Sequence, residues 1–480
     1  MARAVLVVAA LAALAMQLAA ADHPAVGGGD DATDWASLKK TICKIDAPCI
    51  RQHVVSPPPP GRKRRPGSDT ARGWAALPED LIAVLASRLL AGDLLDYVRF
   101  RAVCTAWRSG TTDPRGRGVA DPSFHRRRWM MLPEGHCLYP GHPDLHGHVR
   151  FHNLDTGALV RARIPLLGEY WAIDSVDGLL LLLRDPDQEG AVRLLHPFTG
   201  DIVELPPLGA LASCLTSCPA SYRTRRLARD VCASVSIDAA GNITVILALD
   251  ELRRVAFASS LHRQWTLSTW SYPTLYPPLS FQGKLYVVDT PGPFGQEKIH
   301  EVLQIDPPVT QDDGARTLPQ PKSIAAIPAT KFARPMGLVA CGSEILVLGH
   351  NHSSDSQILV CKLSDLMLRR FIPIQSIGGN TLFLSERTIS VSSKVLSTVK
   401  GDNVVYISSG PHHLAQYHLR SGSVSPAIDT CSLYGRKPGP SCLVHYIFSC
   451  CIRNRWSRGI IFRTDEPYWS VKDEEEEQVQ

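Results

Sequence analysis

The sequence lacks the residue patterns that mark common enzyme and metal sites. It contains no G-x-S-x-G elbow, H-E-x-x-H helix, Walker A loop or G-x-G-x-x-G fingerprint. Cys214 and Cys218 have no second pair at zinc-finger spacing, and His412 and His413 follow Gly-Pro in an expected loop. We therefore predict a non-catalytic protein with neither metal nor cofactor. An enzyme built on the same scaffold would rest on fold precedent alone.

A large charge of one sign and a regular cysteine framework are also missing. Lys and Arg number 51 against 46 Asp and Glu, which leaves +5 over 480 residues and excludes a histone-like polycation. The 13 cysteines are irregularly spaced, and small disulfide scaffolds are far denser in cysteine. Most lie in apolar runs, as Cys104 and Cys361 do, and are predicted to be buried thiols. The basic run 126–128 beside Trp129 is expected at a domain join rather than on nucleic acid.

Long apolar runs are scarce, apart from one at the N-terminus. Residues 1–21 combine Arg3, an apolar stretch from Ala4 to Met16 and three final alanines, which is the pattern of a secretory signal peptide. The stretch is short for a membrane span of about 20 apolar residues, and no later segment is long enough. We predict no stable membrane span. Two glycosylation sequons, at Asn242 and Asn351, would matter only in the secretory pathway.

The segment 22–73 has the composition of a disordered linker. It contains three consecutive glycines, four consecutive prolines at 57–60 and a basic run at 62–65. The basic run fits a nuclear import signal or a solvated charge cluster. At the other end, residues 466–480 form an acidic tail with five acids at 473–477.

Residues 74–118 change to an amphipathic helical pattern. Pro78 suits the first helical turn, and Glu79 and Asp80 behind it favour the positive end of a helix dipole. Leucines at 81, 85 and 89 form one apolar face, Gly92 interrupts it, and a second face ends at Trp107. About 35 residues in three short helices bury little surface alone. The module is therefore expected to pack on another chain or on the next domain.

This segment resembles an F-box, whose pattern is LP-x-x-L-[IL], leucines at helical spacing and V-C-x-x-W-[RK]. An ordinary three-helix packing module is the plain alternative. The resemblance implies binding to a Skp-type adaptor and, through it, to a cullin-RING ubiquitin ligase. Val103, Cys104 and Trp107 could instead hold the module together. The adaptor-binding residues implied by the resemblance are Leu77, Pro78, Leu81, Ile82, Leu85, Leu89, Val103, Cys104 and Trp107.

From about residue 135 to 465 the sequence becomes rich in β patterns. Turn glycines at 178, 241, 283, 342 and 401 each precede an apolar run, at intervals of 63, 42, 59 and 59 residues. Hairpin turns ending at Gly157, Gly200 and Gly422 form the other half of the recurring unit. Strands and hairpins repeating every 40 to 60 residues are typical of a β-propeller. We predict six or seven degenerate blades, with a pair of β-sandwiches as the alternative. The whole chain is thus an α+β multidomain protein with a small three-helix F-box before an all-β propeller.

The β-rich region also resembles a plant family. The motifs that carry the resemblance are D-G-L-L from Asp177, L-H-P-F-T-G from Leu195, L-P-P from Leu205, F-x-G-K-L-Y-V-V-D from Phe281, and L-F-L from Leu382 with D-N-x-V-Y from Asp402. In this order they are similar to the DUF295 family of plant F-box proteins, whose C-terminal domain is a KIB-type β-propeller. The resemblance implies a role but no target.

Two functions follow, and they exclude each other. The first is a substrate receptor of an SCF-type ligase in the nucleus or cytoplasm, where propeller loops hold an unknown target protein near the conjugating enzyme. The second is a secreted or lumenal, lectin-like binding propeller, which residues 1–21 and the sequons favour. An F-box pattern of 40 ordered residues is harder to reach by chance than an Ala/Leu/Val run. We therefore favour the first function, and residues 1–21 remain outside it.

Overall fold

The structure, a computed structural model, describes residues 77–125, 128–132, 148–184, 190–216, 219–273, 275–290, 299–310, 316–396, 399–407, 414–427 and 443–451. The chain divides into two compact units, Met1–Thr112 and Asp113–Gln480. The predicted signal-like segment, linker and acidic tail lie outside the described residues.

The first unit contributes three helices, which together with their flanking residues 77–112 we call the helical module. These are α1 (Glu79–Gly92), α2 (Leu94–Arg101) and α3 (Thr105–Ser109). Asp93 caps α2, since its carboxylate accepts the Leu95 N–H at 2.7 Å. Cys104 caps α3 less strongly, because its Sγ accepts the Trp107 N–H at 3.5 Å. The helices predicted from the leucine spacing are therefore present.

Aromatic side chains form the core of the helical module. The rings of Phe100 and Trp107 stack at 4.3 Å between centroids, and both side chains are buried. Arg101 is buried beside them and donates to the Thr111 carbonyl at 2.6 Å. The Tyr97 hydroxyl donates to the Thr112 carbonyl at 2.6 Å. These two bonds fasten the residues after α3 to α2.

The second unit is built from six sheets that follow one another along the chain. Neighbouring strands are antiparallel, except that β21 and β23 are parallel. A separate two-stranded hairpin consists of β15 (Val309–Thr310) and β16 (Arg316–Thr317). Blade 1 contains β1 (Trp129–Met131), β2 (His148–Asn153) and β3 (Leu159–Arg163), and blade 2 contains β4 (Tyr170–Val176), β5 (Leu179–Arg184), β6 (Val192–Leu195) and β7 (Ile202–Leu205). Blade 3 contains β8 (Val231–Ile237), β9 (Ile243–Leu249), β10 (Arg254–Ser259) and β11 (Thr266–Ser271), and blade 4 contains β12 (Leu279–Phe281), β13 (Lys284–Asp289), β14 (Ile299–Ile305) and β17 (Lys322–Pro328). Blade 5 contains β18 (Phe332–Cys341), β19 (Glu344–Asn351) and β20 (Ser354–Lys362), and blade 6 contains β21 (Asn380–Phe383), β22 (Ile389–Ser392), β23 (Asn403–Ile407), β24 (Leu414–His418) and β25 (Val424–Pro426).

Helices connect or flank some of these sheets. Between blades 2 and 3 lie α4 (Gly209–Ala212) and α5 (Ala220–Arg229), and α6 (Leu363–Met367) follows β20. After blade 6 comes α7 (Leu443–Cys450). Short 3₁₀ turns occur at Pro122–Phe124, Pro165–Gly168, Asp250–Leu252 and Ser393–Val395. Across the described ranges, no helix is both long and apolar enough to cross a membrane.

Several central strands are apolar on both faces because they pack against two neighbouring blades. In β5, Leu179, Leu181 and Leu183 pack into a core shared with blade 3. The alternate residues Leu180 and Leu182 pack into a core shared with blade 1. Successive side chains of a strand point to opposite faces, so a strand buried on both sides reads as a continuous apolar run. The same division holds for the run from Leu285 to Val288 in β13.

Six such cores lie between successive blades and close the ring. The last one joins blade 6 to blade 1, where Met130 and Leu154 pack with Phe383 and Val405. Phe448 of α7 belongs to the same core. The described residues therefore form a propeller of six blades, the lower of the two predicted numbers. The alternative of two β-sandwiches is wrong, because every sheet shares its two faces with the sheets before and after it.

Two turn types account for the predicted motifs. Asp177 and Gly178 both have positive φ, at 50° and 82°, and form the two-residue loop between β4 and β5. The second type closes the β6–β7 hairpin. There the Gly200 N–H donates to the His196 carbonyl at 2.9 Å, and the Thr199 N–H donates to His196 Nδ1 at 3.1 Å. His418 closes the β24–β25 hairpin in the same way.

Candidate functional site

The helical module carries an exposed apolar surface. Of the residues predicted to meet an adaptor, Leu81 is 43% exposed and Val103 is 41% exposed, and Pro78 is also exposed. Leu77, Leu85, Leu89 and Cys104 are half-buried. Exposed side chains of this size on a small module are available to a partner.

Two other predicted contact residues belong to the core of the module. Ile82 is 3% exposed and Trp107 is 2% exposed. Ile82 lies against Gly110, where even an added β-carbon would come within 3.2 Å of its Cγ2. In the free chain these side chains hold the helices together, which leaves Pro78, Leu81 and Val103 as the exposed part of the predicted set.

The structure adds two exposed residues that sequence reasoning missed. Val84 is 47% exposed and Val98 is 42% exposed. Val84 lies three residues after Leu81, so both occupy one face of α1. The three-residue spacing of Leu81 and Val84 is present in the sequence, but Val84 is not part of the leucine repeat on which the prediction was based.

A second candidate site is a cavity of about 170 Å³ inside the propeller. Its walls include Asp174 of β4, Cys232 of β8 and Ser280 of β12, each from the first strand of a blade. Arg387, from the loop between β21 and β22, and Cys450 of α7 complete it. Residues far apart in sequence therefore meet there, and the repeat pattern contained no signal for them.

An ion pair occupies one wall of this cavity. Arg387 Nη2 lies 2.5 Å from Asp174 Oδ1, and both side chains are buried. Asp174 also accepts the Ala233 N–H at 2.6 Å and the Ser175 N–H at 2.8 Å. The Arg387 N–H donates to the Cys451 carbonyl at 2.8 Å. The pair thus links blades 2, 3 and 6 to the end of α7.

The thiols near the cavity are not activated. Burial raises the pKa of Cys450 and of Cys451 well above the usual range. In blade 5, burial and then the charge of Asp365 raise the pKa of Cys361 to about 12. Thiols with raised pKa values are poor nucleophiles and metal ligands. All seven described cysteines are free, and the described residues contain no cluster of three potential metal ligands.

A strap of residues 113–125 precedes blade 1 and binds blade 2. The N–H groups of Gly116 and Gly118 donate to the two carboxylate oxygens of Asp201 at 2.8 and 2.7 Å. Burial alone would raise the pKa of Asp201, but these two bonds, the Thr199 hydroxyl and the charge on His196 together lower it. The strap contains no residue predicted from the sequence to be functional, although His196 and Asp201 flank the predicted hairpin motif.

Comparison with known families decides what the propeller is. A protein-family model, KIB1-4 β-propeller, matches residues 151–424, more than half of the chain. The chain belongs to the KIB1-4 β-propeller family. The matched range runs from within β2 to the first residue of β25, so it covers the six blades except for β1 and the ends of β2 and β25. A KIB1-4 β-propeller is compatible with a protein-binding module.

Other comparisons add little to the family assignment. No curated protein matches the chain. A solved structure, the crystal structure of the N-terminal domain of Nup159, is similar at 14% sequence identity over 58% of this chain and 72% of that chain. Its TM-score is 0.18, which is too low to compare the two folds.

Proposed function

We propose that this KIB1-4 β-propeller protein is the non-catalytic substrate receptor of an SCF-type cullin-RING ubiquitin ligase. The helical module acts as an F-box and binds a Skp-type adaptor. The propeller binds the target protein, and the ligase modifies the target because the receptor holds the two close together. We place this activity in the nucleus or cytoplasm, where the adaptor works.

The observation that carries the proposal is the apolar surface around Leu81. Its side chain and that of Val84 are exposed on one face of α1, while Ile82 and Trp107 supply the core. The module therefore needs neither exposed residue for its own packing. Such a surface supports docking to a partner, and the F-box-like order of residues supports an adaptor as that partner.

Adaptor capture tests the proposal. The full-length chain should retain a purified Skp-type adaptor, and Leu81→Asp combined with Val84→Asp should abolish retention without unfolding the module. Leu261→Asp is the matched control, because Leu261 is an exposed leucine of the propeller. Equal retention by the wild type and the double variant would disprove adaptor docking at this surface.

A lectin-like secreted propeller remains the second candidate, favoured by residues 1–21. The asparagine nitrogens of both sequons are already hydrogen-bonded in the folded chain. Asn242 Nδ2 donates to Asp238 at 2.9 Å, and Asn351 Nδ2 donates to Gln357 at 2.5 Å. A glycan on either nitrogen would replace one of its two hydrogens and add bulk beside these bonds. Expression with a C-terminal tag, followed by glycosidase treatment, distinguishes the candidates, since only the secreted protein would carry glycans.

A further inference from the structure

In the part of the chain that the structure describes, blade 5 has no outer strand like those of its neighbours, blades 4 and 6. In blades 2, 3 and 4 the third strand is paired with a fourth strand, namely β7, β11 or β17. Blade 5 ends at its third strand, β20. Within the described range 316–396, the outer edge of β20 meets only a bridge from Pro373 to Cys361 and the Ile374 N–H, which donates to the Val360 carbonyl at 2.8 Å. No other described residue pairs with the outer edge from Ser354 to Leu359, in which Asp355, Ser356 and Gln357 bulge out of the pairing with β19.

The chain supplies a rigid loop in place of a fourth strand. After α6, the Arg370 N–H donates to the Asp365 carbonyl and the Arg369 N–H to the Leu366 carbonyl, both at 2.9 Å. This is a Schellman cap, whose left-handed position normally holds glycine. Arg369 occupies it at φ 58°. Phe371 then packs edge-to-face on Phe332 at 5.4 Å.

This loop exposes apolar and basic side chains together. Met367 is 51% exposed, Leu368 63% and Ile372 48%. Arg369 and Arg370 are also exposed, and neither has an ion pair with any described residue. From 354 to 379 the sequence has three basic residues and two acids, Asp355 on the edge of β20 and Asp365 in α6. A non-glycine residue kept in a strained conformation points to a use for its side chain.

We propose that blade 5 binds an extended, acidic segment of a partner protein, which takes the place of the missing fourth strand. The segment pairs its backbone with the edge between Ser354 and Leu359, on both sides of the bulge at 355–357. Its acidic residues pair with Arg369 and Arg370, and its aliphatic residues pack on Leu368 and Ile372. This inference rests on the proposed target-binding role of the propeller and is independent of adaptor docking.

Charge and shape favour a peptide over a membrane surface. Anionic membranes attract clusters of four to eight basic residues, and this loop has two adjacent arginines. An open sheet edge offers backbone donors and acceptors that lipid does not use. The preformed loop lowers the ordering cost of binding, because its cap and the Phe371 contact already fix it.

The test begins with a random twelve-residue peptide library displayed on phage and selected against the immobilised full-length protein. Enriched peptides should combine Asp or Glu with Val, Ile or Leu. One enriched peptide, labelled with fluorescein, is then titrated by anisotropy. Arg369→Glu with Arg370→Glu should weaken binding about tenfold or more, since two charge-assisted contacts are lost. Methylation of alternate backbone nitrogens in the peptide should abolish binding.

Controls separate this site from other effects. Arg161→Glu with Arg163→Glu reverses two exposed arginines on the edge strand β3 of blade 1 and should leave binding unchanged within twofold. Leu368→Ser with Ile372→Ser tests the apolar contacts without a charge change and should also weaken binding. Adaptor retention should be normal in every variant, so loss of peptide binding is distinguishable from failure of the ligase proposal.

Four outcomes would overturn the inference. They are wild-type affinity in the Arg369/Arg370 variant, peptide binding that appears only after residues 466–480 are removed, self-association through this face, and binding of phosphatidylserine vesicles without any peptide. The second would make the acidic tail the occupant, the third a second copy, and the fourth a membrane.

Discussion

Arg387 and Asp174 form a buried ion pair, with 2.5 Å between Nη2 and Oδ1, that joins the loop between β21 and β22 to the first strand of blade 2. The pair spans the interior of the propeller and borders its cavity. Asp174 is also held by backbone N–H groups of two blades. A single side chain thus connects blades that are far apart in the chain order.

We expect Arg387→Met to destabilise the propeller by about 3 to 5 kcal/mol, because it leaves a buried carboxylate without its counter-charge. Adding Asp174→Asn should restore part of that loss, since the uncompensated charge is then removed. Urea denaturation of the wild type, both single variants and the double variant gives the coupling free energy. The control is Glu204→Gln, which breaks the exposed pair with Arg193 and should cost less than about 1 kcal/mol. Strict additivity of the two changes would contradict the structural role of the pair.

The strap of residues 113–125 gives a second prediction. Gly118→Ala would place a β-carbon 2.8 Å from His196 Cγ and 2.9 Å from Asp201 Oδ2, so the strap must move away from blade 2. We expect a destabilisation of about 1 to 3 kcal/mol and faster hydrogen exchange at the Gly116 and Gly118 amides. Gly92→Ala, where nothing lies within 4 Å, should be neutral or slightly stabilising. Unchanged exchange in the Gly118 variant would show that the strap is not held by Asp201.

A third prediction distinguishes core residues of the helical module from its surface residues. Trp107→Ala should destabilise the module by about 3 to 5 kcal/mol, because it removes a buried ring stacked on Phe100. Leu81→Asp should change the stability of the module by less than about 0.5 kcal/mol, because that side chain is exposed. Hydrogen exchange of amides in α1 and α2 reports the module separately from the propeller. If Leu81→Asp proves as damaging as Trp107→Ala, Leu81 belongs to the core and cannot be a free docking residue.

The periodic parts of this fold were predictable, and the long-range contacts were not. Asp177-Gly178 and the run after it identified a hairpin and a buried strand, because a two-residue turn and apolar side chains on both faces leave local traces. The number of blades could not be predicted from the sequence alone, because the turn intervals vary and because the helix α6 follows the third strand of blade 5. Asp174 and Arg387 could not be paired from sequence, because nothing local to either residue depends on the other.

The helical pattern had a different limit. Leucine spacing predicted α1 correctly, yet it did not say which side of the helix faces inwards. Ile82 and Leu81 are adjacent in sequence, but one is buried and the other exposed. Ile82 is buried where it lies against Gly110, just after α3, and that contact is a tertiary property.

His152 supplies the last prediction, a loss of stability in acid. Its ring is buried in β2 with neither nitrogen hydrogen-bonded, and burial lowers its pKa from 6.5 to about 4. Between about pH 6.5 and 4, His152 is protonated in the unfolded chain and neutral in the folded chain. The contribution of His152 to stability is therefore complete above this range and is lost as the pH falls through it.

From the two pKa values, the protonation of this one residue should lower the free energy of unfolding by about 2 kcal/mol between pH 7.5 and 5. His152→Leu removes that contribution, while His262 and His300, whose pKa values burial also lowers, stay in both proteins as the internal control. Urea denaturation at the two pH values should therefore show a smaller drop in the free energy of unfolding for the variant than for the wild type. An equal drop in both would mean that His152 is protonated, or reaches solvent, in the folded propeller.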